Sequence, residues 1–293
     1  MMHSAPRRRV TGRTVVLDRM LERLPLFRLS DSADAAAISL ATEAGGRWRV
    51  LPSPGDRLPG TFDQDVYVEL LRRFLDAGSP ADGGLTFTLH AFLRAIGRKV
   101  DGRSYELLRS SLVRLERTTL ESQGIYESPG IVVDDSGRCR FSILASVVIE
   151  RRRAAERGQL SLFPGMSGGE PGDVRATLGQ AIRCNLAAGQ TSTLILGKYL
   201  ALGSAVARRL YRLIAASVEP GTAVYEIELE RLAELLPLAQ RYPSHLLRVL
   251  EPAHEQLIEA GIVDRARIRQ EGRTWCLTYT PGRTATDRSD GQG

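Results

Sequence analysis

Lysine is almost missing from this chain of 293 residues: Lys99 and Lys198 stand against 38 arginines. Neither lysine lies in a Gly-x-x-x-x-Gly-Lys-Ser/Thr phosphate loop, and no Gly-x-Gly-x-x-Gly dinucleotide loop or Gly-x-Ser-x-Gly nucleophile elbow is present. Cysteine is scarce and odd in number. Cys139, Cys184 and Cys276 are too far apart for a disulfide framework, which fits a reducing, cytoplasmic setting. His3, His90, His245 and His254 are scattered, without the spacing of a zinc site. No apolar run approaches the roughly 18 to 20 residues of a membrane span, so no membrane partner is expected. The basic start leads into Leu17-Asp18-Arg19-Met20-Leu21-Glu22-Arg23 rather than an apolar segment, and a secretory signal is not expected. These absences leave no catalytic residue, no metal site and no cofactor to nominate.

What is present is positive charge, unevenly placed. Forty basic residues against 34 acidic ones give a formal charge of +6, with an isoelectric point near 9.5. Residues 1–28 hold seven arginines and two acids, whereas residues 161–293 are close to neutral. Residues 1–23 read as a flexible basic arm, densest at Arg7, Arg8, Arg9 and Arg13. Such an arm either stays solvated or follows phosphates.

Periodicity places a unit at 24–150. A hairpin is expected around Gly45-Gly46, and a helix from Thr61 or Asp63 to Phe74, with Val66, Leu70, Leu71 and Phe74 on one face. A short helix follows from Thr88 to Ile96. A third runs from Ser104 to about Arg117 with Leu107, Leu108, Ser111, Leu112 and Leu115 inward. Ile131-Val132-Val133 and Arg138 to Leu144 flank a turn at Asp134-Asp135-Ser136-Gly137 and read as a strand pair. The order is that of a winged helix. Residues 151–177, rich in Gly and Pro, read as a linker.

A second unit, 178–282, has the same order: a helix from Ser204 to Ser217, a short strand at Tyr225, a helix from Glu230 to Leu236, and a third from Ser244 to Gly261, bent or divided at Pro252. Residues 283–293 read as a disordered tail. The fold expected is α+β, two tandem winged-helix domains arising by internal duplication.

In each unit the third helix starts on a basic surface. The first offers Arg98, Lys99, Arg103, Ser104, Tyr105, Arg109 and Arg114, and Ser104 at the helix start suggests free backbone N–H groups for a phosphate. The second offers Arg241, Tyr242, Ser244, His245 and Arg248, with Arg209 and Arg212 on its first helix facing either phosphates or Glu226, Glu228 and Glu230. Arginine on a helix that enters the major groove reads guanine edges. The same residues also fit an ordinary solvated face; the helix order favours DNA.

Leu58-Pro59-Gly60-Thr61-Phe62-Asp63-Gln64-Asp65-Val66, then Phe87-Thr88-Leu89, Gly102-Arg103-Ser104-Tyr105-Glu106-Leu107-Leu108, Leu112-Val113-Arg114-Leu115, Thr118-Thr119-Leu120 and Ser204 to Arg212, in this order, resemble the plasmid replication initiator protein A family. The resemblance spans roughly residues 24–280. It implies a tandem winged-helix initiator that binds repeated double-stranded sites at a plasmid or secondary-replicon origin, recruits host helicase machinery, and forms homodimers in some states. A nucleoid- or plasmid-associated protein would follow. A transcriptional regulator or autorepressor on the same fold, and an interaction module without DNA, are the competing readings.

Overall fold

The computed structural model describes residues 13–30, 36–129, 131–150, 174–219, 222–240 and 242–282. The chain alternates helices and short antiparallel strands around one continuous apolar core. It opens with strand β1 (Thr14–Asp18) and the single-turn helix α1 (Arg19–Glu22). Asp18 caps α1 by accepting the Met20 and Leu21 amides at 3.0 and 3.2 Å. Val15, Leu17 and Leu21, expected within a flexible arm ending at residue 23, are fully buried. Arg7, Arg8 and Arg9 lie outside the described residues.

Strands β2 (Ile38–Ala41) and β3 (Arg47–Leu51) form the expected hairpin. Helix α2 (Thr61–Asp76) starts where Asp63 reaches back to the Gly60 amide at 2.6 Å. Strand β4 (Gly84–Phe87), helix α3 (Leu89–Ala95) and helix α4 (Gly102–Arg117) follow. Helix α4 buries Leu108, Ser111, Leu112 and Leu115 but leaves Leu107 over a third exposed.

Beyond α4 the topology departs from the sequence reading. Strands β5 (Thr119–Gln123) and β6 (Arg138–Phe141) join the hairpin in a four-stranded sheet of order β2-β3-β5-β6. The expected strand pair forms a single antiparallel bridge, Val133↔Cys139, and residues 131–141 do not close the first unit. That role falls to β7 (Leu144–Ile149) and β8 (Val174–Leu178), which pair with each other and with β4 in the order β4-β8-β7. Residues 174–177, expected as the end of a linker, are strand residues of the first unit's sheet. Residues 151–173 lie outside the described residues.

Helix α5 (Gln180–Ala187), strand β9 (Thr191–Ile195), helix α6 (Leu196–Ala201) and helix α7 (Ala205–Ser217) come next. Ser204, expected as the first residue of this helix, instead caps α7 by accepting the Val206 and Ala207 amides. Strand β10 (Tyr225–Glu228), helix α8 (Leu229–Leu235), helix α9 (Pro243–Glu259), strand β11 (Val263–Glu271) and strand β12 (Thr274–Pro281) are the last of the described elements. Pro252 neither ends nor divides α9: the helix runs through it, with the proline ring on an exposed side. The last sheet has the order β10-β12-β11. The order α7, β10, α8, α9, β11, β12 matches α2, β4, α3, α4, β7, β8 once the inserted β5 and β6 are set aside, and the sheets β4-β8-β7 and β10-β12-β11 both place the first strand beside the third.

Two features join the halves. Strand β1 pairs antiparallel with β9 from Thr14↔Ile195 to Asp18↔Thr191. Asp18 also accepts the Tyr126 hydroxyl at 2.7 Å and the Asn185 amide at 3.1 Å. Burial pushes its carboxyl up to about 6 despite these bonds.

Candidate nucleic-acid interface

The entrance to α4 is built by the turn that ends α3. Gly97 adopts φ +69, which lets the Arg98 amide return to the Leu93 carbonyl at 2.9 Å and sends Arg98 and Lys99 outward. Lys99 and Arg103 are exposed. Arg98 is half-exposed, 3.3 Å from Asp65 and over the Phe62 ring. Asp101 caps α4 by accepting the Ser104 amide at 2.8 Å, so the helix begins before Ser104 and that amide is not free for a phosphate. Tyr105 is partly buried against the core, with Arg109 6.0 Å from its ring centroid and paired to Glu106 at 2.7 Å.

Arg114 faces the other way. It is buried and donates to Asp63 of α2 at 2.7 Å, with Asp56 3.5 Å away. It fastens α4 to α2 and cannot reach a groove. Arg13 donates to Asp76 at 2.7 Å while remaining mostly exposed.

The corresponding surface of the second unit is sparser. Arg241 lies outside the described residues. Tyr242 and Ser244 are exposed, and His245 is partly buried, 5.7 Å from the Tyr242 ring and 3.2 Å from exposed Arg248. Arg209 and Arg212 are not on this surface at all: both are essentially inaccessible. Arg212 donates to Glu22 at 2.8 Å and Gln64 at 2.9 Å, linking α7 to α1 and α2. Arg209 donates to the carbonyls of Glu22 and Leu24 at 2.8 and 2.9 Å. Burial, with Arg212 beside it, lowers its ionisation to about 10. Helix α7 buries residues around most of its circumference, so its arginines had no solvent face to take. Their partner is Glu22, not Glu226, Glu228 or Glu230.

The sequence reading missed a different row of arginines. On β11, Arg265, Arg267 and Arg269 are all exposed and alternate with the partly buried Ala266 and Ile268. Their side chains form no hydrogen bond or ion pair among the described residues. Arg267 and Arg269 lie opposite Thr278 and Cys276 of β12, and Arg273 follows the Gly272 turn. The alternation Val-Asp-Arg-Ala-Arg-Ile-Arg was the available signal: period two puts the three cations on one face, roughly 7 Å apart. In the first unit, the residues joining β7 to β8 include Arg151, Arg152 and Arg153.

Among the described residues no group of three His, Cys, Asp or Glu could hold a metal ion, and no helix is long and apolar enough to cross a membrane. No curated protein sequence matches the chain. Crystal structures of domains 2 and 3 of RctB share its fold. One matches with a TM-score of 0.58 at 11% identity, covering 90% of this chain and 96% of that one. Another matches at 0.50, also at 11% identity, covering 90% and 97%. The Pi initiator protein in complex with iteron DNA matches at 0.42 and 11% identity, over 76% and 95%. The model of replication initiator protein A matches residues 18–255. That range runs from Asp18, the last residue of β1, through most of α9, and by it the chain belongs to the replication initiator protein A family.

Proposed function

We propose that this DNA-binding replication initiator recognises repeated duplex sites at its origin through two tandem winged helices, α2 to β8 and α7 to β12, related by internal duplication. Helices α4 and α9 read base edges in the major groove. The strand pairs β7–β8 and β11–β12 flank them as wings against phosphates. The observation that carries this reading is the row Arg265, Arg267 and Arg269: three exposed guanidiniums without partners among the described residues, on the hairpin that follows α9. Unpaired cations in a row suit a polyanion, and the repeated element order supplies a reading helix beside them.

The contact set divides by geometry. Lys99, Arg103, Arg98, Ser104, Tyr105 and Arg109 serve at α4, and Tyr242, Ser244, His245 and Arg248 at α9. The β11 row, Arg151 to Arg153, and the arm Arg7 to Arg9 contact phosphates, which position without specifying. Arg241 joins the second helix entrance. Recruitment of host helicase machinery and a homodimeric state belong to the same reading.

The test is a salt titration of binding by fluorescence anisotropy, with origin repeats and a random duplex as probes. Log affinity is expected to fall steeply with log salt, about 0.9 per phosphate contacted, with the repeats bound far more tightly. Equal affinity for both probes at physiological salt would sink the proposal. Mapping bound sites across the genome then separates initiation, with repeats at one origin, from regulation at scattered promoters.

A further inference from the structure

Asp65, on α2, has 1% of its side chain exposed yet receives three donors from outside its own helix. Its Oδ1 accepts the Tyr199 hydroxyl at 3.1 Å. Its Oδ2 accepts Arg208 Nη1 at 2.5 Å and Arg98 Nη2 at 3.3 Å. The two cations are held unequally. Arg208 also donates to the Leu202 carbonyl at 2.8 Å, lies over the Tyr199 ring and is largely covered. Among the described residues the Arg98 side chain has only the Phe62 ring as a further contact, and nearly half of it is in solvent. They also belong to different places. Arg98 stands in the α3–α4 loop of the first unit, whereas Tyr199 and Arg208 come from α6 and α7, which lead into the second.

We propose that Asp65 is a positioning residue that couples DNA contact at the α4 entrance to the seating of α6 and α7 on the first unit. The inference rests on the DNA reading of that entrance. Two guanidiniums at one carboxylate oxygen repel each other. A phosphate arriving beside Lys99 and Arg103 offers Arg98 a second anion. Leaving Asp65 strands no buried charge, because Arg208 and Tyr199 stay bound to it. With its competitor gone, the Asp65–Arg208 pair tightens, and α6 and the start of α7 are held more firmly. Linkage makes the effect reciprocal: a firmer α7 contact releases Arg98 for DNA.

Hydrogen–deuterium exchange on the full chain, with and without a random-sequence duplex, tests this. In the wild type the duplex is expected to slow exchange over residues 196–208 severalfold. Arg98→Ala should show that slower exchange without DNA and no further change with it. Its salt slope should fall by about 0.9. Asp65→Asn should exchange fast over 196–208 in both states while keeping the wild-type slope, because Arg98 remains available. If the duplex slows exchange equally in wild type and Arg98→Ala, the coupling is wrong although DNA binding stands. If no duplex binds at any salt, the DNA reading falls and takes the coupling with it. Should Asp65→Asn fail to fold, Arg98→Ala at its half-exposed site decides alone.

Discussion

Helix α7 and strand β11 each carry three closely spaced arginines, and the protein uses them in opposite ways. Arg208, Arg209 and Arg212 are drawn inward, their guanidiniums on Asp65, Glu22 and the carbonyls of Glu22 and Leu24. Arg265, Arg267 and Arg269 stand in solvent without partners among the described residues. Residue type therefore says little about role here. What decides is the element beneath: a helix covered on most sides must satisfy its cations internally, while the edge strand of an open sheet leaves alternate residues in water. Arg114 and Arg109 repeat the contrast within a single helix, one bound to Asp63 inside and the other beside Tyr105 outside.

The contrast breaks most sharply at Arg212. Arg212→Ala leaves Glu22 buried without this partner and should cost about 3 to 5 kcal/mol in urea unfolding. The salt slope of the folded fraction should stay unchanged; a reduced slope would mean that α7 touches DNA after all. Arg114→Ala should resemble it, losing stability on the same scale.

A pH series probes the buried polar groups without mutating a cation. Burial lowers His254 to about 4, its Nε2 lying 2.9 Å from the Tyr279 hydroxyl. Its contribution to stability is present above the unfolded value near 6.5 and is lost as pH falls towards 4. The loss is on the order of 3 kcal/mol. Asp18 has the opposite sign: raised to about 6, it favours the fold below its unfolded value near 3.8 and loses that contribution as pH rises through 6. Unfolding midpoints of His254→Gln and Asp18→Asn between pH 4 and 7 should thus diverge from the wild type in opposite directions. Parallel curves would remove the assignment.

Arg109→Ala should leave stability within about 0.5 kcal/mol. It should cost about 1 to 3 kcal/mol of discrimination at one base position if its guanidinium reads an edge; binding to a library of singly substituted repeats checks this. The smallest effect is expected from single substitutions on β11. Arg267→Ala should lower the salt slope by about 0.9 and weaken all duplexes alike. A base-specific loss there would move β11 from phosphate contact to reading.

The local elements were legible in the sequence because their signals are local. Thr88 and Ser204 cap helices where short polar residues precede an apolar stripe, and the hairpin at Gly45-Gly46 forms as its composition indicates. The connectivity was not legible. Thr119 to Gln123 and Arg138 to Phe141 have strand composition, but composition does not name a strand's partner; the pairing of β5 with β3 across the intervening helices, and of β6 with β5, is a tertiary fact. The Gly- and Pro-rich stretch after Ile149 looked like a linker because its return strand, Val-Arg-Ala-Thr-Leu, is short and follows it directly. The site was legible at the start of α4 and misjudged at Arg114, Arg209 and Arg212. Helical spacing from the leucines leaves such flank positions undecided, and long-range acids settled them. The β11 row carried a clear period-two signal and was overlooked because strands were read for their apolar residues alone.

The pairing of β1 with β9 has a consequence for synthesis. Strand β1 finds its neighbour only when residues 191–195 have left the ribosome. At about 5 to 20 residues per second, Val15 and Leu17 wait roughly ten to thirty-five seconds for the strand that covers them. The N-terminal half therefore cannot finish folding while it is being made. A truncation that stops after β8 should yield a chain with an open edge at its beginning, prone to aggregate, rather than an independent first domain.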